Sequence, residues 1–159
     1  QVSHEYLIEQ VQEQALSAST TNELNFNHPV KELIWTGGTT ASATTTNGPS
    51  TPIALANGTT HQLKLNGHDR FAARDRNYFT RTQVWQHHTG FGGLLNKDSI
   101  AVYSFALKPE EHQPSGTCNF SRIDNAKLEL SVADALDIYA VNYNVLRIMS
   151  GMGGLAYSN

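Results

Sequence analysis

Between His112 and Asp124 lie four residues of the types that hydrolases use: His112, Ser115, Cys118 and Asp124. A catalytic nucleophile needs a base within hydrogen-bond reach, and nothing local supplies that pairing. No Gly-x-Ser-x-Gly elbow surrounds Ser115, and no motif sets a histidine beside a nucleophile. Cys118 is the only cysteine, so it can form neither an internal disulfide nor a Cys/His zinc pattern, and it reads as a small buried or half-buried apolar residue. The adjacent pair His87-His88 invites a metal. Neighbours on a strand point to opposite faces, however, so one strand does not offer both as ligands. The glycine-rich stretch Gly90 to Asp98 lacks the Gly-Lys-Ser/Thr ending of a phosphate loop and reads as a connection. The expectation is a protein without catalytic residues, metal or cofactor.

Charge is the second source of candidate chemistry. Arg70, Arg74, Arg76 and Arg81 are four of the eleven basic residues, crowded into residues 70–81. One reading is a solvated face with ion pairs to Asp69 and Asp75. The other is a subunit interface, because the planar guanidinium suits interfacial ion pairs. The net charge of −3 argues against a direct nucleic-acid coat, which needs clustered positive charge. Two N-glycosylation sequons are present, Asn57-Gly58-Thr59 and Asn119-Phe120-Ser121. Asn57 is the better candidate because of its polar, loop-like setting.

The elements that must position these residues read mainly as strands. A length of 159 residues suits one domain, and 39% hydrophobic with 16% charged residues suits a soluble globular fold. No apolar run approaches the roughly 20 residues that a membrane-spanning helix needs, and nothing resembles a signal peptide. Cytosolic folding fits, and Gln1 is not a natural start, which points to a processed or excised piece. From His4 to Leu16 the periodicity suits either a helix or a two-sided strand, and bare propensity favours the helix. Ser17 to Asn25 reads as a polar loop.

Val30 to Thr36 is a strand behind Pro29, followed by a long Thr/Ser/Ala/Gly/Asn/Pro surface loop from Gly37 to Thr60. His61 to Leu65 alternates and turns at Asn66-Gly67. Asp75 to Arg81 contains a helical turn that Asp75 can cap, and Thr82 to Gln86 is a short strand. Ile100 to Leu107 is apolar on both faces, as expected where a second sheet covers one side and a neighbouring domain or subunit the other. His112 to Asn125 is a rigid corner, with Pro114 and Gly116 turning the chain into a strand from Lys127 to Val132. A turn through Ala133 to Asp137 leads to a last strand, Ile138 to Ile148. Its buried-face residues Asn142 and Asn144 need partners from loops or another subunit.

Three motifs carry a resemblance. They are Tyr103-Ser104-Phe105-Ala106-Leu107-Lys108-Pro109, the corner from His112 to Asn125, and the end from Asn142 to Asn159. Together with Tyr6 to Val11 and Phe26 to Trp35, they make the chain similar to the C-terminal half of the major capsid protein of nucleocytoplasmic large DNA viruses, of phycodnavirus and iridovirus flavour. That resemblance implies an all-β, antiparallel β-sandwich, the eight-stranded viral jelly roll in two four-stranded sheets, with residues 1–159 as a single roll. It also makes His4 to Leu16 a strand and His87-His88 structural. It further implies a homotrimer with a pseudo-hexagonal outline, contacting neighbouring capsomers and minor capsid proteins in the virion and assembled in the host cytoplasm. A first roll of the same polypeptide would complete the subunit, and the Met149 to Asn159 tail would dock on its own sheet, on that roll or on a neighbour. Rival readings are a jelly-roll carbohydrate-binding module, a cupin-like enzyme, which would need a His-x-His pattern that this chain lacks, and a scaffolding protein of the same fold.

Overall fold

The computed structural model describes residues 2–37, 55–90, 93–94 and 97–157. Two long strands organise it. β1 (His4–Glu23) and β10 (Ala126–Met149) run antiparallel, with unbroken register from the pair His4 and Ile148 to the pair Leu16 and Leu136. β10 pairs on its other edge first with β3 (Thr60–Leu65), through Ala126 to Leu130, and then with β2 (Pro29–Gly37), through Leu136 to Asn142. β8 (Ile100–Ser104) adds to β2, and β11 (Met152–Leu155) folds back on the end of β10. Short pieces β4 (His68–Asp69), β5 (Arg74–Asp75) and β9 (Cys118–Asn119) extend this nine-stranded antiparallel sheet, while β6 (Gly93–Leu94) and β7 (Lys97–Asp98) pair separately.

Two of the hairpin turns follow backbone chemistry. Asn66 and Gly67 have φ values of 52° and 79°, and Ser150 and Gly151 have 52° and 75°. Two successive left-handed residues match the twist of the flanking strands, which is why Asn-Gly was readable as a turn. At Gly116 φ is 142°, and a Cβ would overlap the Phe105 carbonyl oxygen. The corner therefore needs glycine for space as well as for φ. Ser115 fixes it further: its carbonyl and hydroxyl oxygens accept from the amides of Leu107 and Lys108.

Alternation places Leu33, Trp35, Leu63, Leu128, Leu136, Ile138 and Ala140 in one core with Phe79 and Leu55. Aromatic rings run through it in contact, from Trp35 and Phe79 through Phe71 and Tyr103 to Phe105 and Phe120. Each such side chain contributes about 1.5–3 kcal/mol by leaving water.

Four expectations from the sequence are corrected. The polar segment Ser17 to Asn25 is strand as far as Glu23, because backbone pairing to Lys127, Leu128 and Glu129 holds it, and the buried Asn22 amide donates to the Leu128 carbonyl. There is no turn at Ala133 to Asp137. β10 is continuous there, at the point where it leaves β3 and joins β2, and β1 absorbs the offset in register shifts between Leu16 and Thr21. Thr82 to Gln86 is not a strand: a π-helical stretch, Tyr78–Thr82, runs directly into α1 (Gln83–His87). Finally, the second apolar face of the strand Ile100 to Ser104 is covered within the chain, although Leu107 beyond it stays exposed. α1 packs there, with Val84 buried and the Gln83 side-chain oxygen accepting from the Ser104 amide.

Of the loop predicted from Gly37 to Thr60, residues 38–54 lie outside the described residues. Its described end is only partly at the surface, with Asn57 and Gly58 exposed and Leu55 and Thr59 buried. Leu55 is 2% exposed, and its amide donates to the Asp98 carbonyl.

Candidate functional site

The four arginines do not act as one patch. Arg81 grips Asp98 with two bonds, Nε to Oδ1 and Nη2 to Oδ2, both 2.9 Å. Arg76 approaches the same carboxylate at 3.6 Å and donates to the Leu55 carbonyl and the Asn57 side chain. With the Thr80 hydroxyl also donating, Asp98 is held well below the usual carboxylate range, chiefly by Arg81. Arg76 and Arg81 are thus consumed inside the subunit. Arg74 instead lies over the Tyr78 ring, 4.4 Å from its centre, and Arg70 lies 5.9 Å from that of Phe105. Neither has a carboxylate partner among the described residues, so both guanidinium groups are presented at the surface with their charge uncompensated. The sequence pointed to Asp69 and Asp75 as local partners. Asp69 instead faces Lys64, and Asp75 accepts from the Asn77 amide.

Asn57 sits exposed on a turn with Gly58 at φ 73°. Its Oδ1 is taken by Arg76, and the hydroxyl of Thr59, which completes the sequon, is buried and donates to the Ala56 carbonyl.

The hydrolase-type residues are not assembled. Ser115 serves the corner, while His112 Nε2 is bonded to the Leu7 carbonyl at 2.8 Å and its Nδ1 faces Glu9. The Asp124 amide is held by Asn66, and burial pushes the Cys118 thiol up, away from the reactive thiolate. His87 and His88 also diverge, though on a helix end rather than a strand. His87 Nδ1 bonds the Gln83 carbonyl, and His88 lies between Glu32 and Glu110. Among the described residues no group of three or more metal-binding side chains converges.

The asparagines of β10 are satisfied within the chain. The Asn142 side-chain oxygen accepts from Gln12, while Asn144 donates to Gln10 at 3.1 Å and to the Tyr157 carbonyl at 2.7 Å. The tail is thereby docked on its own sheet as far as Tyr157, helped by the Ala156 amide on the Val145 carbonyl.

What sequence reasoning missed is exposed apolar surface. Trp85 on α1 is 82% exposed, and Leu107 just past β8 is 77% exposed. Along β1, Tyr6, Leu7 and Val11 are exposed, and among the described residues β1 pairs only with β10. Met149, Met152 and Leu155 make the β10–β11 hairpin apolar at its tip. Apolar residues at both odd and even positions of β1 were the available signal. An arrangement of this kind, without converging reactive groups, suits association rather than catalysis.

Comparison with known proteins agrees with that geometry. A family model described as large eukaryotic DNA virus major capsid protein matches residues 1–154. The chain is 51% identical to the major capsid protein of Pyramimonas orientalis virus over its whole length, covering 44% of that protein. It is 41% identical to that of Paramecium bursaria Chlorella virus 1, covering 50% of it. Among solved structures, the quasi-atomic model of the PBCV-1 virus capsid superposes on the whole chain with a TM-score of 0.79 at 38% identity, over 52% of its own chain. The Faustovirus major capsid protein, at 16% identity and a TM-score of 0.59, shares the fold. The architecture is therefore the antiparallel viral jelly roll, and the chain spans about half the length of the fuller relatives it matches. On the match to residues 1–154 and the two whole-chain identities, the chain belongs to the family of large eukaryotic DNA virus major capsid proteins.

Proposed function

We propose that this chain is the second, C-terminal jelly roll of a capsid subunit and that residues 1–159 form one such domain. The subunit is a homotrimer with a pseudo-hexagonal outline, tiling an icosahedral shell with neighbouring capsomers and minor capsid proteins. It is assembled in the host cytoplasm, and another roll of the same polypeptide completes it. The observation that carries this reading is the full-length superposition on a virus capsid chain at 38% identity.

The surface chemistry supports it. Exposed apolar residues on α1, β1 and the terminal hairpin are of the kind that interfaces bury, and Arg70 and Arg74 are free to meet carboxylates of a neighbouring copy. Arg76 and Arg81 belong to the proposed interface only as supports, since Asp98 already holds them. With a net charge of −3, the domain contacts other capsid proteins rather than DNA. No described helix is long and apolar enough to cross a membrane. Asn57 remains the candidate glycan acceptor.

Peptide mass spectrometry and surface immunogold labelling of purified virions test the role. Peptides of this chain are expected among the most abundant virion proteins, with label on the shell. Their absence from mature particles overturns the shell reading in favour of a scaffold.

A further inference from the structure

The carboxylate–imidazole–carboxylate arrangement at His88 is built into the fold. His88 caps the C-terminal end of α1, its amide bonded to the Val84 carbonyl. Its Nε2 lies 2.6 Å from Glu32 Oε2 on β2, and its Nδ1 lies 3.2 Å from Glu110 Oε1 on the segment after β8. A neutral imidazole has one N–H and one lone pair, so it can donate to only one of two carboxylates. The imidazolium donates to both. Glu32 is 5% exposed, so its charge needs a partner, and Glu110 also accepts from the amide and hydroxyl of Thr89.

Glu110 belongs to residues 105–117, a strap fixed at two other points. Phe105 and Ala106 bond the Lys31 carbonyl and His112 reaches across to β1, while Ser115 closes the strap on itself by holding Leu107 and Lys108. Glu110, at its edge, lines an open cleft of about 310 Å³ together with His88, Thr89 and the apolar side chains of Ile34, Val84, Ile100 and Val102.

We propose that residues 105–117 are a strap latched by a proton on His88, which closes one rim of this apolar cleft and loosens when the proton leaves. Neutral His88 keeps its remaining proton on the nearer, buried Glu32 and turns a lone pair toward Glu110. Among the described residues, Thr89 is then the only donor left to that carboxylate. Both carboxylates push the histidine upward from its ordinary value, Glu32 most strongly, so the latch stays closed to a higher pH than an ordinary imidazole would allow. The other charged groups nearby are already engaged. On β2, Lys31 faces Glu9, and on the π-helical stretch Arg81 faces Asp98. On the strap, Lys108 and Glu111 face each other and His112 faces Glu9, while His87 turns to its own helix. Tyr78 accepts from Gln83. This inference stands whether or not the capsid reading holds.

In the full-length protein, hydrogen exchange of the histidine ring carbon, followed by mass spectrometry, reads the His88 titration directly. Amide exchange over residues 105–117 and at Thr89, corrected for intrinsic rate, reads the strap. The expected results are a His88 midpoint above the ordinary 6.5 and a roughly ten-fold loss of strap protection between about pH 6 and about pH 9. The exposed substitution Glu110→Gln should abolish that pH dependence. A midpoint at or below the ordinary value, pH-independent protection in the unmodified protein, or full pH dependence retained in Glu110→Gln would each overturn it.

Discussion

His61 and His88 show the titration of one residue type pushed in opposite directions by its surroundings. His61 is 2% exposed, between Trp35 and Phe79. Its Nδ1 accepts from the Trp35 indole at 3.1 Å, so the proton must sit on Nε2, which donates to Thr59, whose hydroxyl donates to the Ala56 carbonyl. Every position is satisfied by the neutral ring, and burial pulls its pKa down to about 4. His88 is half-buried between two carboxylates and is pushed upward. The difference shows where this fold uses histidine as a neutral polar core residue and where its surroundings favour the imidazolium.

The strongest way to break the contrast is to open the aromatic wall. Phe79→Ala removes the ring packed on both Trp35 and His61. It should cost about 3–5 kcal/mol in denaturant unfolding, and the His61 midpoint should climb toward its ordinary value as water enters. A smaller loss with an unmoved midpoint would mean that the wall does not set the site.

Next in size is the acid limb of stability. The folded pKa of His61 lies below its unfolded value, so its contribution is complete above 6.5 and is lost as pH falls through about 4. Integrated over that window the loss is about 3 kcal/mol, readable as a falling midpoint in urea melts. His88 has the opposite sign: its contribution is complete below 6.5 and fades as pH rises through its raised folded pKa. Glu32→Gln should therefore destabilise by about 1–2 kcal/mol in mildly acidic solution and by much less in alkaline solution. An equal cost at both ends would show that Glu32 matters only for packing.

The smallest effect on folding is expected at the surface arginines. Arg70→Ala and Arg74→Ala should each change subunit stability by less than about 0.5 kcal/mol, while weakening association between subunits if these are the groups offered to a neighbour. Thermal melts beside sedimentation velocity separate the two effects.

Much of this was legible in the sequence, and the reasons are particular. β2 and β3 declared themselves by alternation, and Asn66-Gly67 by the left-handed turn it can adopt. On β10 the split of Tyr139, Val141, Tyr143 and Val145 from Ile138 and Ala140 matches register and burial. β1 from His4 to Leu16 became a strand only through the family resemblance, because its glutamines satisfy a helix as readily as a ladder. Their partners, Asn142 and Asn144, lie more than 120 residues away. The stretch from Ser17 to Glu23 was hidden because backbone pairing, not side-chain burial, holds it. α1 was misread because five residues, Gln83 to His87, are too few to show a helical period. Asp98 as the partner of Arg76 and Arg81, and Glu32 and Glu110 as partners of His88, are set by tertiary folding across 17 to 56 residues. Local spacing carries no signal for such pairs.

The native mass of the full-length polypeptide, measured by light scattering after size exclusion and imaged from the same peak by negative stain, tests the capsid account most directly. A trimer of subunits roughly twice the length of this chain, with a hexagonal outline, is the predicted result. A stable monomer at the concentrations of shell assembly would contradict it.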